Sequence, residues 1–150
     1  MTFDAATTID RPPSVVWSYI SDVKTWPKWA SSYLELKQTS DGPIGVGATF
    51  QSSHPMNRTL VERLVEYETN RSFGLEFISG PIRGSRVWFR MEGTAGVSGS
   101  QASQVTRTFE MRFAGIFKLL GPLLIARSFK REGPIELGNL KRTIESRGST

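Results

Sequence analysis

Residues 2–9 alternate, with Phe3, Ala5, Thr7 and Ile9 on one side and Asp4 and Asp10 off it. A period of two predicts a half-buried strand. Arg11-Pro12-Pro13-Ser14 stops it. Proline suits the first helical turn, so Pro13 opens a short helix through about Ser21, with Val16, Trp17 and Ile20 facing inward. Asp22 begins a second short helix or turn, which Pro27 interrupts between Trp26 and Trp29. Extended patterns then follow at 33–40, 48–54, 58–69, 72–78, 84–92 and 104–113. Asp41-Gly42-Pro43, His54-Pro55-Met56-Asn57, Asn70-Arg71 and Ser79-Gly80-Pro81 supply turns between them. Residues 93–103, rich in Gly, Ser and Ala, read as a loop.

The period changes in the last fifth of the chain. Over 116–146, Leu119, Leu123, Ala126, Phe129, Gly133, Leu137, Leu140 and Ile144 recur at spacings of three and four. They share one face of a long amphipathic helix. At about 1.5 Å per residue it spans more than roughly 40 Å and needs a broad partner surface. Gly121-Pro122 and Gly133-Pro134 each remove an amide donor, which predicts a break or restart near Pro122 and a kink near Pro134. No helix separates the middle strands, so the sheet is expected to be an antiparallel meander. The predicted class is α+β. A curved antiparallel sheet of about six to seven strands wraps the C-terminal helix, and two short helices follow the first strand. The 150 residues are read as one domain, 1–150.

Charge alters this picture only modestly. The net charge is +5, and residues 71–150 carry 13 Lys/Arg against 6 Asp/Glu, whereas residues 1–70 carry 6 against 8. Basic residues on the last helix are interleaved with glutamates, as on a solvated face. Such a face is compatible with weak contact to an anionic surface. Specific nucleic-acid binding is not expected, because basic clusters with interleaved exposed aromatics are lacking. No cysteine, secretory leader or membrane-length apolar run is found, and a cytoplasmic location is expected.

Candidate chemistry is sparse. No His/Asp/Glu cluster has metal-ligand spacing, and no metal or cofactor is expected. His54 is the sole histidine. It shares a strand side with Phe50 and Ser52 and precedes Pro55, so both an inward position and a solvent-exposed strand end are open. Arg107 falls in register with Val105, Phe109, Met111 and Phe113. A charge on an apolar face needs a partner. Glu62, Glu66 and Glu76 could supply an ion pair, or Arg107 could anchor a ligand carboxylate or phenolate. Arg90 and Trp88 pose the same question with opposite parity, and a bulge would exchange the two sets. Phe50, Phe73, Phe77, Phe109 and Phe117, with Leu120 and Leu124, are candidates for an apolar pocket lining as well as for plain core. Trp26 and Trp29 flank a proline in a short segment and are expected near a cavity entrance, since both are hard to bury there.

Four stretches carry a family resemblance: Arg11-Pro12-Pro13-Ser14-Val15-Val16-Trp17; Asp22-Val23-Lys24-Thr25-Trp26-Pro27-Lys28-Trp29; Ile44-Gly45-Val46-Gly47-Ala48-Thr49-Phe50 with Val65-Glu66-Tyr67-Glu68-Thr69-Asn70-Arg71; and the closing helix with Lys118-Leu119-Leu120-Gly121-Pro122-Leu123-Leu124 and Leu137-Gly138-Asn139-Leu140-Lys141. Over essentially its whole length the chain resembles the START/Bet v 1-like (SRPBCC) helix-grip superfamily, most closely the bacterial polyketide cyclase/dehydrase and lipid-transport group. The resemblance implies a cavity between sheet and long helix that holds an apolar or amphipathic small molecule. The leading expectation is therefore binding or transport of a hydrophobic or aromatic ligand, with Arg107 and His54 supplying selectivity. An enzyme of cyclase, aromatase or dehydratase type is the alternative, and its candidates His54, Tyr67, Glu62 and Arg107 form no recognisable dyad. A protein- or RNA-interaction module is the third reading, and a homodimer is compatible with all three.

Overall fold

The computed structural model describes residues 1–115 and 117–147, without the side chains of Ser98, Phe117 and residues 123–126. Its elements in chain order are β1 (Thr2–Ile9), α1 (Pro13–Ile20), α2 (Trp26–Trp29), β2 (Glu35–Gln38), β3 (Thr49–His54), β4 (Arg58–Glu68), β5 (Ser72–Phe77), β6 (Arg86–Ala95), β7 (Gln101–Glu110) and α3 (Phe117–Arg147). The strands form one sheet in the spatial order β1-β7-β6-β5-β4-β3-β2, and every neighbouring pair is antiparallel. β1 and β2 lie at opposite edges, so residues 10–34, which hold α1 and α2, carry the chain across from one edge to the other. In β4 the register shifts between Leu64 and Glu66. A bulge of this kind bends a strand and raises its twist, which curves the sheet toward a helix on its inner face. The result is the helix-grip α+β architecture.

Alternation sets the inner face. Val87, Phe89 and Met91 on β6, and Val105, Arg107 and Phe109 on β7, are all buried. Arg107 sits in register between Ala5 on β1 and Phe89 on β6. From the other side Leu137, Leu140 and Ile144 of α3 close the core, each at most 1% exposed.

Several details depart from the sequence reading. The stretch 93–103 is mostly strand: Gly93, Thr94 and Ala95 pair with Ser103, Ala102 and Gln101, which leaves only 96–100 as the connection. Ladder hydrogen bonds outweigh the loop-like composition there. Pro27 does not interrupt a helix but stands in the first turn of α2, where a missing amide donor costs nothing. α3 runs without the break or restart expected near Pro122, and it continues through Pro134. Tertiary packing holds the second of these, since Gly133 lets the helix approach β1 so closely that a Cβ there would lie 3.1 Å from that of Ala5. Leu119, on the predicted inner stripe, is 83% exposed. Periodicity identifies residues that share a face, not how far the partner surface extends. Among the described residues, no helix is long and apolar enough to cross a membrane.

Candidate functional site

A cavity of about 350 Å³ lies between the sheet and α3. Phe77, Val87, Phe89 and Phe109 line it from the strands, Ile82 from the β5–β6 connection and Phe129 from the helix. These residues follow from the period of two on the strands and the three-and-four spacing on α3. Pro55 and Met56 extend the wall, and Met56 is 84% exposed, which marks the β3–β4 turn as a rim between cavity and solvent. The polar side chains on the wall include Tyr33, His54, Arg107, Glu132 and Glu136. No group of three or more His/Asp/Glu side chains is placed to hold a metal ion among the described residues.

Arg107 and Glu136 form the first polar feature. Nε of Arg107 stands 3.0 Å from Oε2 of Glu136, with the side chains 4% and 2% exposed. The contact is ionic without hydrogen-bond alignment, and Arg107 Nε and Glu136 Oε1 are buried with no hydrogen-bond partner among the described residues. Burial lifts the Glu136 carboxyl well above its ordinary value; Arg107 pulls it back, and Glu132 one turn earlier pushes it up again. The guanidinium also lies 5.4 Å from the ring centroid of Phe109. The partner of Arg107 is therefore Glu136 on the helix, not Glu62, Glu66 or Glu76 on the strands. Glu76 pairs with Arg63 and Arg86, and Glu66 with Arg90. Arg90 lies exposed over the ring of Trp88, so the bulge falls in β4 and leaves the parity of β6 intact.

Tyr33, Glu62, Ser52 and His54 form the second. The Tyr33 hydroxyl donates to Glu62 Oε1 at 2.5 Å. Glu62 is 0% exposed. Burial raises its carboxyl to about 7, with hydrogen bonding from Tyr33 and Ser52 offsetting part of the rise. Its Oε2 has no hydrogen-bond partner among the described residues. Ser52 stands beside it, but the serine hydroxyl is engaged with Leu60 O and His54 Nε2. His54 Nδ1 donates to the Ser32 carbonyl at 2.7 Å. A carbonyl only accepts, so Nδ1 carries the hydrogen in this arrangement. Burial lowers the His54 pKa, against a smaller opposing effect of the Ser32 bond.

The structure brings Trp26, His54, Phe77, Arg107 and Phe109 to one cavity. Phe50 and Phe73 are fully buried core away from its wall. Trp29 is packed behind Trp26, ring centroids 4.9 Å apart. Neither tryptophan is an exposed entrance residue, since both are 1% exposed. Burial succeeds because each indole N–H finds a local acceptor, Ile20 O for Trp26 and Thr25 Oγ1 for Trp29. Leu120 is 54% exposed and off the wall. Phe117 and Leu124 lie outside the described side chains. Tyr67 packs on Trp17 at 5.1 Å and does not reach the cavity. Sequence reasoning missed Tyr33, Phe129, Glu132 and Glu136 as wall residues. For Glu136 a signal existed: it lies three residues after Gly133 and four before Leu140, both on the inward stripe.

Comparison with known proteins agrees with this architecture. A family model described as polyketide cyclase / dehydrase and lipid transport matches residues 1–145. No curated protein matches the chain significantly. Among solved structures, TTHA0849 from Thermus thermophilus is similar at 14% identity and a TM-score of 0.77, covering 99% of this chain and 100% of that one. XoxI from Bacillus cereus is 14% identical with a TM-score of 0.73, covering 99% of each. The di-domain ARO/CYC BexL from the BE-7585A biosynthetic pathway is 15% identical with a TM-score of 0.76, covering 100% of this chain and 48% of that one. At such identities the structural likeness speaks for the fold alone. The family match over nearly the whole length goes further: the chain belongs to the polyketide cyclase / dehydrase and lipid transport family.

Proposed function

We propose that this protein binds or carries a hydrophobic or aromatic small molecule, lipid- or polyketide-like, in the cavity between the sheet and α3. The observation that carries the reading is the Arg107–Glu136 pair. A mostly apolar hollow of about 350 Å³ contains two buried polar atoms, Arg107 Nε and Glu136 Oε1, that lack hydrogen bonds among the described residues. A buried polar atom left without any partner costs roughly 1–3 kcal/mol. Glu136 Oε1 is in that position, while Arg107 Nε keeps an ionic contact with Oε2 but no aligned hydrogen bond. A ligand hydroxyl or carbonyl seated there relieves that cost, while apolar walls such as Phe109 and Phe129 supply affinity at about 25 cal/mol per Å² buried. A thermal-shift screen of fatty acids, quinones, flavonoids and polyketide analogues tests the reading. Stabilisation by an apolar ligand, reduced in Arg107→Ala, is expected; no stabilisation by any of them rejects it.

A second reading, an enzyme of cyclase, aromatase or dehydratase type, is favoured by one observation. Tyr33 and Glu62 share a hydrogen bond, and the Glu62 carboxyl at about 7 is suited to acid–base work at neutrality. Turnover of a polyketide analogue in the same panel, lost in Glu62→Gln, supports that reading in place of a carrier.

A further inference from the structure

We propose that Tyr33 and Glu62 form a second polar subsite, in which the Tyr33 hydroxyl turns from Glu62 to a carbonyl or phenolate oxygen of the bound molecule while Glu62 takes up one proton from solvent. The inference rests on the cavity-binding reading and assigns that cavity a ligand group and a proton linkage.

The argument is one of hydrogen counting. Tyr33 is on the cavity wall, and its hydroxyl donates to Glu62 Oε1 at 2.5 Å. A phenol has a single hydrogen to donate. An ionised carboxylate only accepts, so while Glu62 is charged the Tyr33 hydrogen is committed to it. A protonated Glu62 reverses the bond: its own O–H donates to the tyrosine oxygen, and the phenolic hydrogen is released toward the cavity. Glu62 itself is 0% exposed and is not part of the wall, so a ligand senses it through Tyr33. Its Oε2 is without a hydrogen bond among the described residues, and Ser52, the other group that favours the charged form, has its hydroxyl engaged with Leu60 O and His54 Nε2. With the carboxyl at about 7, the proton is gained at little cost near neutrality.

Other titratable and charged groups face this corner. His54 and Arg58 flank the β3–β4 turn, and Glu132, Glu136 and Arg107 stand on α3 and β7. His54 is held as Nδ1–H by Ser32, and Arg107 faces Glu136. His54, its pKa lowered by burial, and Glu136, its pKa raised by burial, bring pH dependences of their own, so the test must isolate Glu62.

The test is a fluorescence titration with Prodan, an aromatic ketone whose emission moves to the red when its carbonyl accepts a hydrogen bond. For the wild type, one linked proton with a carboxyl at about 7 makes Kd roughly tenfold weaker at pH 8 than at pH 6. Glu62→Gln offers a permanent amide donor to the Tyr33 oxygen, so it binds with the wild-type pH 6 affinity at both values. Tyr33→Phe binds weakly at both and loses the red shift. A wild-type Kd equal at the two pH values overturns the proton linkage while leaving the cavity reading intact. Persistence of the tenfold change in Glu62→Gln also overturns it, because the titrating group is then another. Absence of Prodan binding by the wild type at either pH overturns the assignment of a carbonyl ligand to this subsite, and the ligand screen above decides the cavity reading separately. Thermal melts verify that the variants fold, and if Tyr33→Phe does not, the wild type and Glu62→Gln decide the matter.

Discussion

Arg107 on β7 and Glu136 on α3 face each other at 3.0 Å with almost no solvent exposure, and so tie the strand next to the β1 edge of the sheet to the helix at the cavity wall. Removing one member of such a pair leaves a buried charge uncompensated, which costs about 3–5 kcal/mol, whereas replacing both with apolar side chains of similar volume is close to neutral. Glu136→Ala is therefore expected to lower the unfolding free energy by about that amount in urea titrations. Arg107→Met with Glu136→Leu should return it to within about 1–2 kcal/mol of the wild type. A single variant as stable as the wild type would show that the pair is solvated.

Glu62 predicts a dependence of stability on pH with a definite sign. Its carboxyl is raised from 4.5 to about 7, so the folded state holds the proton more tightly than the unfolded chain. The associated stability is fully present below about pH 4.5 and is lost as the pH climbs through about 7. Relative to Glu62→Gln, the wild type should lose about 2–3 kcal/mol between pH 5 and pH 8. Urea titrations of both proteins at the two pH values measure it. A wild type that gains on the variant as pH rises contradicts the burial of this carboxylate.

The fold was legible because the two periods in the chain are clean. Phe3, Ala5 and Ile9 mark a half-buried strand, and Leu137, Leu140 and Ile144 mark the inner face of a terminal helix. The anomaly at Arg107 was legible too, because a charge in an apolar register demands a partner. The partner was not. Register on a strand says nothing about which residue of a distant helix lies opposite, so the spacing of Glu136 from Gly133 and Leu140 marks it as inward-facing but not as the partner of Arg107. The Tyr33–Glu62 bond was hidden for the same reason: it joins residues 29 apart that belong to no common element. The tryptophans mislead because chain-local crowding does not decide burial: the Ile20 carbonyl at the end of α1 and the Thr25 hydroxyl satisfy the two indoles.

Those tryptophans give a third expected outcome. Trp26 packs against Trp29, Tyr33, Phe73 and Phe89, with ring centroids 4.9–5.8 Å apart. Trp26→Ala should cost about 3–5 kcal/mol, the range for deleting a large buried ring. Trp29→Phe keeps only the six-membered ring; it loses the bond to Thr25, worth about 1 kcal/mol, and adds the cost of the space left by the pyrrole. Acrylamide quenching should find Trp26 and Trp29 protected and Trp88 more accessible. If Trp26→Ala leaves the midpoint of urea unfolding unchanged, the segment is an open mouth after all.

Gly74 and Trp88 are paired across β5 and β6, and their coupling is the last expected outcome. A Cβ on Gly74 would lie 2.5 Å from Cδ1 of Trp88 and 3.1 Å from Cβ of Glu66. The indole lies across the glycine, and Arg90 stands over that indole at 5.3 Å while reaching Glu66 at 3.5 Å. Adding one methyl group must therefore displace the ring, and with it the packing of this patch. A strand interior otherwise disfavours glycine, so Gly74→Ala would be mildly favourable if the space were free. With the ring in the way it should cost about 1–3 kcal/mol. Trp88→Ala carries its own loss, but it also removes the obstacle. In the double variant the alanine at 74 should then be tolerated, giving an interaction energy of at least about 0.5 kcal/mol in a double-mutant cycle. Strict additivity of the two losses would mean that the ring rotates away freely, and that the glycine is not required by its neighbour.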